Sequence, residues 1–188
     1  MRIRDPETSG WPQIQALLQG TIYSGWVSVK KGKTAEGMAF LRSGLAAYRA
    51  TGAEQWMPHY TALLASACEA AGQVRQALAL VDDALQITER TREGWFAAEL
   101  NRNKGQLLLR QGHSEIAEEL YRKALSIAQE QEAKLWKLRA ATSLARLWGG
   151  QGRSAEASDL LAPVYGWFTE GFDTADLKEA KALLDELT

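Results

Sequence analysis

The chain has 188 residues, 46% of them hydrophobic, with 22 basic against 23 acidic side chains and a net charge of −1. That length suits one compact unit burying about 70% of the unfolded surface, and the balanced charge supplies no global field favouring nucleic acid or a membrane. The single cysteine, Cys68, excludes an internal disulfide or a cysteine-based metal cluster, and neither a membrane-length apolar run nor a signal peptide is present, so the expected setting is cytoplasmic.

From residue 12 onward, apolar residues recur at steps of three and four, the period of an amphipathic helix. Helices are expected over 12–30 and 34–50, joined at Gly32, and over 54–71 and 74–90, joined at Gly72. The stretch Ala77, Leu80, Val81, Ala84 and Leu85 shows the pattern clearly. A third pair, 93–111 and 114–130, turns at Gly112, with Ile116, Leu120, Ala124 and Ile127 on one face. A fourth, 133–150 and 154–169, turns at Gly152, and a last helix covers 173–187. Each glycine can close a helix in the left-handed conformation without a Cβ penalty. Thr34, Val74, Ser114 and Ser154 follow two residues later, and three of these four are good N-cap residue types. Pro163 is expected to kink or restart the eighth helix.

The glycines at 32, 72, 112 and 152 are 40 residues apart, and other positions keep the phase: Trp56, Phe96 and Trp136, or Leu45, Leu85 and Leu125. A fixed period of this size marks a helical repeat array. Small residues recur at Gly25, Ala65, Gly105 and Ala145, then at Gly37, Ala77, Ala117 and Ala157, then at Gly44, Ala84, Ala124 and Val164. Large residues (Val81, Tyr121, Leu161) fill the space between the last two sets. This pattern resembles the tetratricopeptide repeat (TPR), whose helices cross closely at small residues. HEAT and armadillo repeats match the period but lack the pattern. The resemblance implies an all-α fold: a right-handed superhelical array of antiparallel helix pairs, an α-solenoid. Its units would span about 40 residues in place of the usual roughly 34. The expected organisation is one domain, 1–188, with units near 12–50, 54–90, 93–130 and 133–169 and a cap at 173–187. The segment 138–187, ending PVYGWFTEGFDTADLKEAKALLDEL, is also similar to the TPR tails of bacterial adenylate/guanylate cyclase and AAA ATPase-type proteins. That similarity implies a regulatory tail, and no catalytic residue of those proteins carries over onto this chain.

Candidate chemistry is sparse. Gly32, Lys33 and Thr34 end like a phosphate-binding loop, but Val27 stands where the first glycine of that motif is required. His59 and His113 are expected on the surface, with no partner spacing for a metal, and Cys68 is expected to serve packing. Asp82, Asp83, Glu118 and Glu119 read as solvated faces. Nucleophile, base and oxyanion donors are nowhere assembled, so the chain is read as a non-enzyme without metal or cofactor.

In TPR arrays the first helices line a concave groove. Here that face is expected to carry Gln19, Ile22, Trp26 and Val29, then His59, Ala62, Ser66 and Glu69. Glu99, Arg102, Gln106 and Arg110 follow, and Arg139, Thr142 and Arg146 complete it. The four arginines suit a carboxylate or phosphate, against the plainer reading that they pair with neighbouring glutamates. The expected partner is a protein or peptide, acidic if the arginines are used, with no nucleic acid and no membrane. Trp148, Tyr165, Trp167, Phe168 and Phe172 are expected to lie beneath the last helix as a cap. Trp11, Ile14, Leu17 and Leu18 have no earlier unit to pack on, which makes the terminal repeats a candidate homodimer surface. Two functions follow: an interaction scaffold, or a regulatory tail controlling an output elsewhere.

Overall fold

The computed structural model describes residues 11–188, with side chains from residue 13. The described residues form nine α-helices and no strand: α1 (Trp11–Lys30), α2 (Thr34–Ala50), α3 (Met57–Ala70), α4 (Val74–Thr91), α5 (Ala97–Leu109), α6 (Ser114–Glu130), α7 (Lys134–Gly150), α8 (Ser154–Tyr165) and α9 (Ala175–Leu187). A short 3₁₀ turn occupies Gly94–Phe96. Residues up to Glu93 make one compact unit and Gly94–Thr188 a second. In the first, α1 pairs with α2 and α3 with α4, and α2 lies against α3. In the second, α5 pairs with α6 and α7 with α8, α6 lies against α7, and α9 packs on α7 and α8.

One turn geometry builds all four hairpins. Gly32, Gly72, Gly112 and Gly152 have φ of +82°, +74°, +88° and +78°. The amide of Gly32 donates to the Val29 carbonyl, and that of Lys33 to Ser28, the paired bonds of a Schellman ending. Gly72 and Gln73, Gly112 and His113, and Gly152 and Arg153 repeat the pair. The residue after each glycine then accepts the first bond of the next helix, as Lys33 does from Gly37 and Gln73 from Ala77. Lys33, Gln73, His113 and Arg153 are therefore the N-caps, without side-chain capping bonds, and Thr34, Val74, Ser114 and Ser154 lie inside their helices. The expected hydroxyl caps are displaced because the Schellman bond places the cap directly after the glycine.

Close helix contact explains the small residues. Ala77, Ala117 and Ala157 are wholly buried, with Val81, Tyr121 and Leu161 buried one turn on. α1 and α2 approach still more closely. A Cβ added at Gly37 would lie 2.5 Å from the Gly25 carbonyl oxygen and 2.8 Å from the Val29 nitrogen.

Several expected boundaries shift. α3 starts at Met57, because Trp56 takes a left-handed φ of +66° at its N-cap. α5 starts at Ala97, after the 3₁₀ turn. α8 runs through Pro163 without a restart and stops at Tyr165 rather than 169, with Gly166 as its C-cap. The second unit's core joins Leu138, Leu144 and Trp148 to Leu161, Leu177 and Leu183, with Tyr165 and Phe168 packed against it. Trp167 and Phe172 stay nearly half exposed, so α9 covers only part of the expected aromatic group. In α1, Ile14 and Leu17 are exposed and Leu18 is half-buried, while the Trp11 side chain lies outside the described residues. His59 is half-buried rather than on the surface, and burial lowers its pKa. Glu118 is also half-buried, where Arg122 first, with help from Arg153, holds its carboxyl below the usual range.

Candidate functional site: the first-helix faces

The exposed strip of α1 and α3 is aromatic. Tyr23 packs edge-on against Tyr60 with ring centroids 5.9 Å apart, and lies 6.2 Å from His59. Trp56 stands 6.5 Å from His59 on the other side. The ammonium of Lys30 sits over the half-buried Trp26 ring at 4.5 Å. Beneath them Tyr60 is buried and packs edge-on against Tyr48, whose hydroxyl donates to the Gln55 carbonyl at 3.0 Å. Trp26 and His59 come from the sequence reading; Tyr23 and Trp56 were missed. Tyr23 had a signal, lying three residues before Trp26 on the same helix. Trp56 had only its place in the 40-residue phase, and its presentation depends on the left-handed turn and on the Glu93 carboxylate, which accepts its backbone N–H at 2.9 Å.

In the second unit the strip is charged, and the charges are organised around one buried carboxylate. Glu99 is 5% exposed. Arg102 grips it with two bonds of 2.8 Å and also donates to Gln106 at 3.1 Å and to Asn103 at 2.7 Å. Burial works against the Arg102 charge, but the Glu99 bonds outweigh it and raise the guanidinium pKa. Arg139 reaches the same Glu99 at 3.3 Å and forms a bidentate pair with Asp176 at 2.8 and 2.9 Å. Its guanidinium also lies 5.2 Å from the centre of the Trp136 ring. Two arginines and two carboxylates thus balance, tying α5, α7 and α9 together. Arg146 makes a different kind of pair, at 2.8 Å to Glu179, with both side chains about half exposed.

Beside this network an open cleft of about 620 Å³ is lined by Gln106, Arg110, Ser143, Arg146, Gln151 and Glu179, among others. Gln106, Arg110 and Arg146 line it directly, whereas Glu99, Arg102 and Arg139 form the ion-pair network. Besides Glu99, four residues expected on the first-helix faces are in fact buried: Ile22, Val29, Ala62 and Thr142. They stand one helical step toward the core and serve packing. Arg102, in phase with Ile22, Ala62 and Thr142, takes a core position and carries Glu99 inward with it.

No group of three His, Cys, Asp or Glu among the described residues could hold a metal ion. No described helix is long and apolar enough to cross a membrane. Cys68 is buried, and burial raises its thiol pKa.

Residues 57–130 match the family model of the tetratricopeptide repeat. An uncharacterized protein of Rhizobium meliloti (strain 1021) is 31% identical over 131 residues, covering 69% of this chain but 13% of that relative's length. Among solved structures, a Podosopora anserina kinesin light chain-type protein with nearly identical TPR-like repeats has a TM-score of 0.70 at 20% identity, over 92% of this chain and 86% of its own. BtubC (BKLC) from P. vanneervenii has a TM-score of 0.74 at 17% identity, over 94% and 80%. A Rap protein complexed with competence and sporulation factor has a TM-score of 0.75 at 16% identity, over 92% and 54%. At these identities the structures speak for the fold alone. With a tetratricopeptide match at its centre and TPR-like structures along most of its length, the chain is a helical repeat protein of TPR-like fold.

Proposed function

We propose that the chain is a non-catalytic scaffold that holds a peptide or a partner domain on the exposed faces of its first helices. The observation that carries this reading is the open cleft on the second unit, whose polar lining is presented by α5, α6, α7 and α9. One structural neighbour was solved in complex with competence and sporulation factor, which makes guest binding a sensible use for this fold. Within the cleft the roles divide. Glu99, Arg102 and Arg139 stiffen the wall, because their charges are already matched. Gln106, Arg110 and Arg146 meet the guest. Half-exposed ion pairs contribute little, so an incoming carboxylate can replace Glu179 on Arg146, and an acidic segment is the chemical match. On the first unit Trp26 and His59 offer flat rings for apolar side chains.

Titrating labelled acidic and uncharged peptides against wild type, Arg110→Ala and Arg146→Ala tests this. Acidic peptides should bind about tenfold more weakly to each variant, roughly 1.4 kcal/mol, and more weakly in high salt. Equal binding by all three proteins, or no binding of acidic peptides by wild type, would sink the arginine reading.

A second reading, a regulatory tail of a cyclase- or ATPase-type signalling protein, is favoured by the length of the Rhizobium relative, of which the matched stretch is 13%. A catalytic domain read in frame upstream of residue 1 in the genome would support it; a frame that stops short would remove it.

A further inference from the structure

Residues 11–29 contain no charged side chain, although α1 lies largely at the surface. Among the side chains described, residues 13–29, only Ile22, Gly25 and Val29 are buried. The exposed face runs Leu17, Gly20, Ser24, Val27, with Leu17 73% and Val27 47% exposed. Forty residues on, the same positions are Met57, Tyr60, Leu64 and Ala67, all buried on α3, which lies against α2. In the second unit the equivalent positions on α7, which meets α6, are Lys137, half-buried, and Ala140, Leu144 and Leu147, all buried. Among the described residues, the face left open on α1 is thus one that the repeat elsewhere covers with a helix.

The pattern on that face also indicates what covers it. Leu17 and Val27 lie equally far from residue 22, and so do Gly20 and Ser24. The order apolar, small, small, apolar reads the same from either end. A Cβ built on Gly20 meets nothing within 4 Å, so the middle of the face is open for a second backbone to approach. A symmetric dimer requires that residue i meet j while j meets i. An antiparallel pair of α1 helices with its two-fold near residue 22 does this, setting each Leu17 on the partner's Val27 and each Gly20 on the partner's Ser24. Ile14 then meets the aliphatic stem of the partner's Lys30. A covering helix from an unrelated repeat would need no such symmetry.

We infer that α1 is a homotypic interface, through which two copies of the chain pair antiparallel about the Gly20–Ser24 step. Light scattering across a hundredfold concentration range should show the mass rising from 20.7 kDa toward twice that value. Leu17→Asp/Val27→Asp should weaken pairing at least about thirtyfold with an unchanged helical circular dichroism signal. The symmetry has its own test, in which the buried Cys68 is silent: mixed Leu17→Cys and Val27→Cys chains should form the mixed disulfide faster than either homodisulfide. A concentration-independent monomer mass overturns the proposal, as do homodisulfides that form as readily as the mixed one.

Discussion

Glu99 shows how one buried side chain can organise a surface. It accepts from two guanidinium groups on different helices while being almost wholly shielded from water. Burying a charge is costly unless it is paired, and removing one partner of such a pair strands the other. Glu99→Ala should therefore cost about 3 kcal/mol, read as a lower denaturant midpoint at unchanged slope. Arg146→Ala, which breaks a half-exposed pair, should cost under about 1 kcal/mol. This contrast also makes Arg146→Ala a clean probe of the cleft, since lost binding there will not reflect lost folding. The Glu99–Arg102 pair was visible in the sequence as an i, i+3 spacing on one helix. Asp176 was not, because 37 residues separate it from Arg139 and nothing in local pattern announces a partner brought in by α9.

At the scale of helices, the turns were more legible than the junctions between pairs. Glycine at a fixed phase advertises a left-handed residue, and all four phased glycines adopt one. Trp56, Arg92 and Glu132 also have positive φ, between +52° and +66°, at helix ends where no glycine signals it. The expected starts of the third, fifth and seventh helices accordingly ran one to four residues early. The α1–α2 contact adds a distinction that the small-residue pattern hid. Alanine fills the Gly37 phase in the other three pairs, yet here a Cβ would clash with backbone of α1. Gly37→Ala should destabilise by about 2 kcal/mol. The opposite outcome, the slight stabilisation expected of Gly→Ala in an open helix, would mean that α1 and α2 stand further apart. A thermal melt distinguishes the two.

For the whole molecule, stability in repeat architectures is a sum of local terms, each element supported by its neighbours. α9 contributes Leu177, Ala180 and Leu183 to the core of the second unit. Leu177→Ala should cost about 3 kcal/mol, and amide exchange should quicken in α7, α8 and α9 while α1 to α4 keep their protection. Equal quickening in both units would show that the chain unfolds as one body. The sequence conveyed the repeat architecture because a 40-residue phase survives any single substitution. The face that carries function was harder to read, since a shift of one helical step exchanges a groove position for a core one, as happened at Ile22, Ala62 and Thr142.

The hairpin turns have an evolutionary consequence. In each, the residue that completes one helix's ending is also the first acceptor of the next helix, as with Gln73, which donates to Cys68 and accepts from Ala77. No position is spare, so adding or deleting one residue there would rotate the following helix by about 100° and turn its buried stripe outward. The connections at 51–56, 92–96 and 131–133 differ in length and geometry. Length variation among related chains should collect at those joints, and grafted peptides should be placed there too, leaving the glycine turns invariant in span even where the glycine itself is lost.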